Sequence, residues 1–332
     1  MVGKTYQAMV VEEIGENRFS RAIKEKTIDQ LPDGEVLIKV QWSSLNYKDA
    51  LSATGNRGVT RKYPHTPGID AAGVVVESKS PVFKPGDKVI VTSYDLGMNT
   101  AGGFGQYIRV PAAWVVPLPE GLDLRESMIF GTAGFTAGMS IMALTHCVPA
   151  EKGNILVTGA TGGVGSFAVV LLASLGYSVT AVSGKSDAAP FLTGLGARQI
   201  LSRAEATVPG DRPLHKPLWA GVIDTVGGDI LVSAIKATDL QGVITCCGNV
   251  ASADLPLSVF PFILRGVSLV GIDSQNCVMT RRKKVWQHLA SDWKPSALDS
   301  LAREVTLDEL DREIEVILKG GQTGRVVVKM DC

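Results

Sequence analysis

A glycine-rich segment near the middle of the chain constrains the fold more than any other part of the sequence. Residues 155–157 (Ile-Leu-Val) are a short apolar run with the length of a buried parallel strand. Glycines follow at 159, 162, 163 and 165, and residues 164–175 are a mostly apolar run of good helix formers. A strand, a glycine turn and a helix in this order are the context in which a G-x-G-x-x-G segment binds a dinucleotide.

Each part of this turn has a physical role in holding a pyrophosphate. Gly162 lets the backbone approach the phosphates, and Gly165 lets the helix pack closely on the strand, while Ala160 stands at the first glycine position. The helix start, at Gly163 and Val164, offers unpaired N–H groups and the positive end of the helix dipole. A glycine turn without a ligand is the alternative, but a second strand at 177–182 favours cofactor binding. We therefore predict cofactor contacts at Gly162, Gly163, Val164 and Gly165.

The length, hydrophobic content and net charge of the chain indicate a two-domain protein that does not bind a polyanion. The chain has 332 residues, of which 45% are hydrophobic, enough for two domains with a sizeable core. Its 33 basic and 33 acidic residues give a formal net charge of zero, so nucleic acid and anionic membranes are poor candidate partners. The start does not read as a signal peptide, and the longest apolar stretch, 128–144, falls short of the ~20 apolar residues of a membrane span. We expect a cytoplasmic protein.

The cysteines predict neither disulfides nor a thiolate metal site. They number five, an odd count, and no C-x-x-C spacing occurs among them. Their positions are Cys147, Cys246, Cys247, Cys277 and Cys332.

The distribution of strands and helices predicts an α/β fold with a doubly wound parallel sheet and a second, β-rich domain. In the first 127 residues, strands separated by Gly and Pro turns are expected at 8–11, 35–42, 68–77 and 87–92. From about residue 128, a helix at 135–144 and the glycine unit precede strands at 177–182, 199–201, 219–224, 242–247 and 268–271. The tail adds helices at 281–293 and 307–319 and a closing strand at 324–330 that returns to the first domain. The predicted domains are therefore 1–127 with 276–332, and 128–275.

The second strand of the glycine unit indicates which nicotinamide cofactor is bound. NAD sites carry an Asp or Glu about twenty residues past the glycines, which binds the ribose hydroxyls. Here the strand ends in Ser183-Gly184-Lys185, and no carboxylate occurs at its tip before Asp187. Ser183 and Lys185 suit a 2′-phosphate as hydroxyl donor and cation, and Arg198 before the third strand could add a second cation. We predict NADPH, with Arg325 of the tail as a further candidate for reaching it, although a plain surface arginine is the alternative.

These features together resemble the medium-chain dehydrogenase/reductase superfamily over essentially the whole chain. The motifs that carry the resemblance are residues 43–49 (SSLNYKD), 67–73 (PGIDAAG), 131–137 (GTAGFTA) and 224–228 (DTVGG). Within the superfamily the chain is similar to the zinc-free quinone oxidoreductases, and among them to bacterial NADPH-dependent acryloyl-CoA reductases, to which SSLNYKD and residues 261–265 (PFILR) point. The resemblance implies a GroES-like catalytic domain, a Rossmann domain, and a homodimer formed through the edge of the nucleotide-domain sheet.

The alcohol-dehydrogenase branch of this superfamily holds a catalytic zinc, which this sequence does not support. That branch has a Cys in the first motif and a His-Glu pair in the second, where this chain has Asn46, Tyr47 and Asp70. No cysteine precedes Cys147, and the four histidines include no close pair. We therefore predict no metal, and a hydride acceptor that is already activated, such as an α,β-unsaturated thioester or a quinone.

The polar residues of the first two motifs are the natural catalytic candidates. Asn46 and Tyr47 follow an apolar strand, in what we expect to be a loop entering the interdomain cleft. Tyr47 could donate a proton or hold the nicotinamide ribose, and Asn46 could hydrogen-bond the acyl oxygen or orient Tyr47. Asp70 is expected to be half-buried, as an anchor for Asn46 or Lys48, as part of a proton relay, or simply as a structural ion pair.

Two further positions could touch the cofactor, and two basic runs could touch a coenzyme A ester. Thr136 is expected in the first turn of its helix, where it would contact the nicotinamide or only cap the helix. Asn249 follows a strand at the edge where open sheets bind ligands. The basic runs, at 57–62 and 281–284, are candidates for the coenzyme A phosphates or are ordinary solvated surface.

The sequence leaves several functions open. The first is NADPH-dependent reduction of acryloyl-CoA or another 2-enoyl-CoA, and the second is one-step quinone reduction. A carbonyl reductase and a nucleotide-binding redox sensor or structural protein with little turnover are the others, and the NYKD motif argues against the sensor.

Overall fold

The chain passes four times between two units of the structure, after residues 132, 274, 290 and 296. The structure, a computed structural model, describes residues 3–330. Unit 1 comprises the residues up to Thr132, Gln275–Ala290, and the residues from Ala297 onward, and unit 2 comprises Ala133–Ser274 and Ser291–Ser296. The N-terminal segment and the tail therefore belong to one unit, into which the nucleotide-type unit is inserted.

The strands are β1 (Thr5–Gly15), β2 (Arg18–Thr27), β3 (Val36–Ser44), β4 (Asp70–Ser78), β5 (Lys88–Thr92), β6 (Tyr107–Val110), β7 (Val115–Pro117), β8 (Asn154–Val157), β9 (Ser178–Ser183), β10 (Gln199–Ser202), β11 (Trp219–Asp224), β12 (Thr238–Cys246), β13 (Ser268–Gly271), β14 (Ala302–Thr306) and β15 (Arg325–Lys329). The α-helices are α1 (Tyr47–Ala53), α2 (Leu124–Thr145), α3 (Gly163–Ser174), α4 (Ala189–Gly194), α5 (Arg203–Ala206), α6 (Gly228–Lys236), α7 (Phe260–Arg265), α8 (Met279–Ala290) and α9 (Leu310–Leu318).

Unit 1 is built on a seven-stranded sheet in which β3 is covered on both faces. The strand order is β14-β15-β3-β4-β5-β7, with β6 also pairing β3, and β1 and β2 form a separate antiparallel pair. Val36, Ile38 and Val40 alternate along β3 and enter the main core, while Leu37 packs in a second cluster with Tyr6. The predicted closing strand is confirmed as β15, which pairs antiparallel with β3 and brings the residues near 325 beside Ser44.

Unit 2 is a six-stranded parallel sheet in the order β10-β9-β8-β11-β12-β13. The strand order reverses between β8 and β11, so the carboxyl edge of these two strands is the place where doubly wound sheets bind ligands. The glycine turn follows β8 directly, as predicted, and α3 begins at Gly163.

Several elements differ from the sequence-based expectation, and the short strands β6, β7 and β14 were not predicted. The strand β2 and the helix α1 were not predicted, and α1 occupies the place where a loop was expected after β3. The helix predicted at 135–144 lies in the second part of α2, a span from Leu124 that is interrupted at Gly131, where the backbone is not helical (φ 51°, ψ −156°). By length and composition α2 could cross a membrane, which corrects the expectation that this stretch is too short, but 78% of its most apolar window is buried inside the protein.

Candidate active site

The glycine turn of unit 2 is shaped by backbone contacts that exclude side chains. Gly159 has φ +60°, and a Cβ there would lie 2.3 Å from Thr225 Oγ1. A Cβ on Gly165 would lie 2.3 Å from the Gly159 carbonyl oxygen and 2.7 Å from Ala160 Cα. Gly159 therefore makes the tight turn that the first glycine of the motif usually makes, and Gly165 allows α3 to pack against it.

The start of α3 is suited to an anionic ligand. Gly162 is the N-cap residue, its N–H donates to the Gly159 carbonyl at 2.9 Å, and no side chain of the described residues caps the helix. A Cβ on Gly162 would meet only the Gly159 oxygen, at 3.3 Å, so this side of the turn is more open than the side at Gly165. An open, glycine-lined helix start of a 12-residue helix fits a dinucleotide pyrophosphate.

A buried carboxylate fixes the neighbouring turn after β11. Thr158 Oγ1 donates to Asp224 Oδ1 at 2.6 Å, and the Gly227 N–H donates to Oδ2 at 2.9 Å. Burial raises the pKa of Asp224, and the hydrogen bonds from Thr158 and Gly227 oppose that shift. The carboxyl ends of β8 and β11 are thereby held together at the predicted ligand edge.

The next part of that edge brings together Ser183, Lys185 and a cation that sequence analysis missed. The Ser183 hydroxyl accepts the Lys185 backbone N–H at 3.1 Å, and burial lowers the pKa of the Lys185 ammonium. Arg203 directly follows β10, and the last residue of β10 pairs with Ser183. The Arg203 Nε lies 2.6 Å from the point where a Cβ on Gly184 would be. Two cations and one hydroxyl therefore converge where a 2′-phosphate was predicted.

Arg198 does not belong to this group. It precedes β10, and its N–H donates to the Val179 carbonyl near the amino end of β9, whereas Ser183 is the last residue of β9. Since β9 and β10 are parallel, residues before β10 lie at the opposite edge from residues after it. The same rule, applied to the predicted third strand, could have selected Arg203 from the sequence.

The remaining candidates of unit 2 have mixed surroundings. Asn249 is exposed just past the carboxyl end of β12, at the ligand edge. Thr136 is 5% exposed and lies within α2 rather than in its first turn. Burial raises the pKa of Cys246 and raises that of Cys247 to about 12, so neither thiol is a reactive nucleophile.

In unit 1, Tyr47 is the exposed member of the predicted catalytic set. It is the first residue of α1 and is 43% exposed. Asn46, its predecessor, is the N-cap residue and is 9% exposed. Lys48, its successor, donates from Nζ to Gln275 Oε1 at 2.9 Å. The two neighbours of Tyr47 are therefore tied down while its own ring faces outward.

Next to Tyr47 in the chain, Asn46 belongs to a buried cluster that we call the hub, formed by Ser44, Asn46, Asp49, Asp70 and Arg325. Asp70 is fully buried rather than half-buried, and its carboxylate accepts hydrogen bonds from Ser44 Oγ at 2.7 Å and Asn46 Nδ2 at 2.7 Å. It also accepts from Thr132, through the backbone N–H at 2.9 Å and the hydroxyl at 2.6 Å. The expectation that Asp70 anchors Asn46 agrees with this geometry.

Asp49 is a second buried carboxylate in the hub and was not predicted. Its Oδ2 accepts the Asn46 N–H at 2.8 Å, and its Oδ1 accepts the Ile69 N–H at 2.8 Å. Burial and the nearby Asp70 charge raise the pKa of Asp49 to about 7, against the effect of these hydrogen bonds.

Arg325 lies inside the hub, so its guanidinium is used within unit 1. It is 2% exposed, and it donates to the Ile129 carbonyl, the Leu45 carbonyl, Asn46 Oδ1 and Ser44 Oγ at 2.9–3.2 Å. Its Nη2 lies 3.8 Å from Asp70 Oδ2. The structure thus places the residue with the catalytic candidates and gives no support to the expectation that it reaches the cofactor.

The non-helical Gly131 makes room for the hub. A Cβ at this position would lie 2.5 Å from Asp70 Oδ2, 2.5 Å from Ser44 Oγ and 2.9 Å from Arg325 Nη2. The bend of α2 and the packing of the hub therefore depend on the same glycine.

In each of the two basic runs, at 57–62 and 281–284, one arginine makes contacts within unit 1. Arg57 pairs with Glu13 at 2.7 Å and lies over the rings of Phe19 and Tyr63. Arg282 is fully buried over the ring of Tyr94. Arg61, Lys62, Arg281, Lys283 and Lys284 remain on the surface.

Comparison with known proteins identifies the family. Residues 32–120 match the family described as alcohol dehydrogenase GroES-like domain, and residues 163–291 match the family described as zinc-binding dehydrogenase. Acrylyl-CoA reductase AcuI of Ruegeria pomeroyi is 44% identical over 98% of this chain and 100% of that protein. The chain belongs to the medium-chain dehydrogenase/reductase superfamily.

Two solved structures of this superfamily are similar over nearly the whole chain. The yhdH oxidoreductase of Salmonella enterica, in complex with NADP, has a TM-score of 0.95 at 42% identity and covers 98% of this chain and 100% of that one. Protein yhfP of Bacillus subtilis, named a putative quinone oxidoreductase, was solved with NAD bound and has a TM-score of 0.96 at 43% identity, covering 98% and 100%. The predicted superfamily, the α/β fold with GroES-like and Rossmann parts, and the class of oxidoreductase are confirmed.

The residues of this chain do not fit the zinc site that one superfamily description names. Among residues 3–330 there is no group of three or more His, Cys, Asp or Glu side chains that could hold a metal ion. The two carboxylates of the hub already accept several N–H and O–H donors, and an arginine lies beside them, where a cation would be repelled.

Proposed function

We propose that this protein reduces the C=C bond of acryloyl-CoA to give propanoyl-CoA, with NADPH as the reductant. The observation that carries the proposal is Tyr47, an exposed residue that directly follows Asn46, whose backbone N–H and side-chain amide are held by the buried hub. The relatives named acrylyl-CoA reductase support this substrate over others.

The cofactor and the chain would divide the chemistry between them. NADPH, when bound, supplies a hydride for the β-carbon of the enoyl thioester. The glycine turn would hold its pyrophosphate, and Ser183, Lys185 and Arg203 would hold its 2′-phosphate, while Asn249 and Thr136 remain candidates for its nicotinamide half.

Tyr47 would complete the reduction by moving a proton. As hydride arrives at the β-carbon, negative charge develops on the thioester oxygen, and a proton must reach the α-carbon. The Tyr47 hydroxyl would donate that proton, or hydrogen-bond the developing oxyanion, while Asn46 and Asp70 would hold its backbone in place. Overall, one hydride and one proton add across the double bond, and the products are propanoyl-CoA and the oxidised cofactor.

Parallel assays of NADPH oxidation test this function. Acryloyl-CoA and 1,4-benzoquinone are compared with EDTA present, by absorbance, and propanoyl-CoA is identified by mass spectrometry. We expect NADPH to be oxidised with acryloyl-CoA as substrate, at a rate that EDTA does not lower. Turnover with quinone alone would indicate that the protein is a quinone reductase, as the name of the Bacillus relative suggests for that protein. Tight NADPH binding without turnover of either would favour the redox sensor.

A variant locates the proton donor within the same assay. Tyr47→Phe is expected to lower kcat roughly 10²-fold, the usual scale for a general acid, with the Kd for NADPH changed less than threefold. Tyr63→Phe is the matched control, because it removes a nearby phenol that donates to the Ser52 carbonyl at 2.7 Å. An unchanged kcat in Tyr47→Phe would end the catalytic role of Tyr47.

We also propose a homodimer formed at the β13 edge of unit 2, and a reducing, cytoplasmic location. β13 ends the six-stranded sheet, and α7 just before it carries Ile263 and Leu264, which are 67% and 58% exposed. A second copy of the chain would cover these side chains. The location is supported by the free thiols of Cys147, Cys246 and Cys247, which persist in a reducing compartment.

A further inference from the structure

We propose that Asp49 and Arg325 are positioning residues for the reduction, which together lock the Asn46 amide and thereby fix the backbone position from which the Tyr47 side chain projects. The proposal deepens the function proposed above and rests on the role given there to Tyr47. Neither residue needs to touch the substrate or the cofactor, because both act through Asn46.

The first step is that both ends of the Asn46 side chain are fixed by charged groups. Its Nδ2 donates to Asp70 Oδ2 at 2.7 Å and lies 3.3 Å from Asp49 Oδ2, while its Oδ1 accepts from Arg325 Nη1 at 3.2 Å. A flipped amide would place its oxygen against two carboxylates and its NH₂ against a guanidinium. Only one orientation of Asn46 is therefore compatible with the hub.

The second step is that Asp49 fixes the backbone as well. Its two carboxylate oxygens accept the N–H groups of Asn46 and Ile69, which ties the start of α1 to the residue before β4. Tyr47 follows Asn46 in the chain, so locking the backbone and side chain of Asn46 leaves the Tyr47 ring as the mobile part. Its rotation about two side-chain bonds is then the only freedom left to the phenol.

The third step is that the hub is poorly explained as a device for stability alone. It buries two carboxylates against a single guanidinium, and the guanidinium gives its hydrogen bonds to carbonyl, amide and hydroxyl oxygens, with Asp70 3.8 Å away. Burial lowers the pKa of Arg325, and the charges of Asp70 and Asp49 oppose this shift. Burial and the charge of Asp70 raise the pKa of Asp49 to about 7. Well-packed apolar residues would cost less, and such costs are commonly retained at functional sites for geometry.

A double-mutant cycle with Tyr47→Phe tests the proposal. Asp49→Asn replaces one carboxylate oxygen by an NH₂ group facing N–H donors, so we expect kcat to fall at least fivefold in the chain that retains Tyr47. In the Tyr47→Phe background the same change should lower kcat less than twofold, because the group being positioned is absent. The KM for NADPH should change less than threefold in both backgrounds.

Arg325→Lys is also combined with Tyr47→Phe in a double-mutant cycle of kcat. This second cycle tests the proposal if the Asp49→Asn protein does not fold. The lysine substitution keeps the buried positive charge but cannot reproduce four hydrogen bonds from one planar group, so we expect the same dependence on Tyr47. Ser52→Ala is the matched control: it removes a buried hydrogen bond of α1 to Thr60, at 2.6 Å, away from Asn46, and should leave kcat within twofold.

The outcomes separate this proposal from the function on which it rests. An equal loss of kcat in both backgrounds, or a loss in Ser52→Ala as large as in Asp49→Asn, would overturn positioning and leave a structural role. No effect of Tyr47→Phe by itself would overturn positioning as well. If the unmodified protein turns over quinone but not acryloyl-CoA, the proposed function fails, and the cycle measured with quinone still decides the roles of Asp49 and Arg325.

Discussion

At the scale of single residues, charge is placed differently at the two candidate regions. In unit 1 the hub buries its charges, and they act on one amide. In unit 2 Lys185 and Arg203 stand at the carboxyl edge of β9 and β10, beside a hydroxyl, with enough exposure to receive a dianionic phosphate. Charged side chains therefore hold the Asn46 amide in unit 1, whereas in unit 2 they form a surface that a phosphate could bind.

This placement predicts which arginine selects the cofactor. Lys185→Ala and Arg203→Ala should each raise the KM for NADPH by roughly 10- to 100-fold, the scale of a lost charge-assisted hydrogen bond, with the KM for NADH changed less than twofold. Initial rates with each cofactor measure this. Arg198→Ala is the control and should change neither, because Arg198 lies at the other edge of the sheet. Equal effects on NADPH and NADH would remove Lys185 and Arg203 from the 2′-phosphate.

At the scale of elements, glycines decide where helices begin and bend. Gly159 and Gly165 let α3 start against the end of β8, and Gly131 bends α2 around the hub. Neither arrangement tolerates a methyl group, since the nearest atoms are backbone or buried polar groups at 2.3–2.9 Å.

Gly165→Ala tests the packing of α3. The added methyl would meet the Gly159 carbonyl and Ala160 Cα, so we expect a loss of about 1–3 kcal/mol of stability and weaker NADPH binding, as α3 is pushed away. Gly194→Ala is the matched control, because nothing lies within 4 Å of its Cβ and alanine favours α4 by up to about 1 kcal/mol. Thermal melting and NADPH titration measure both. Equal stability in the two variants would show that α3 can shift without cost.

Local sequence signals predicted most elements and failed where distant contacts decide. The glycine turn and the parallel strands of unit 2 have strong local patterns, and their predicted bounds differ by at most one residue, except that β12 begins four residues before its predicted start. The helix α1 was missed because it is short and its start depends on Asp49 and Asn46 capping each other. The hub could not be predicted, since Arg325 meets Leu45 across 280 residues of chain and no local pattern records that contact.

At the scale of the whole molecule, an exposed apolar face predicts association. Ile263→Lys should convert a dimer to a monomer at micromolar concentration, because it places a charge where the second copy would pack. Sedimentation velocity measures the mass. Val82→Lys changes an equally exposed apolar side chain, at 71%, on unit 1 and should leave the dimer intact. A monomer in the unmodified protein would refute the proposed assembly.

The position of Arg325 in the chain also bears on how the protein is made. The carboxylates at 49 and 70 leave the ribosome early, while the guanidinium that shares their buried hub follows about 250 residues later, roughly 12–50 s behind at 5–20 residues per second. Until β15 pairs with β3, the hub lacks its cation. The four oxygens that accept hydrogen bonds from Arg325 then lack this donor; they are the Ile129 and Leu45 carbonyls, Asn46 Oδ1 and Ser44 Oγ. Both segments of the nucleotide-type unit, Ala133–Ser274 and Ser291–Ser296, are synthesised before β15, so that this unit can fold during the interval. Candidate catalytic geometry is therefore a late product of synthesis, and a chain truncated before β15 would be born with a folded nucleotide unit and an unfinished active site.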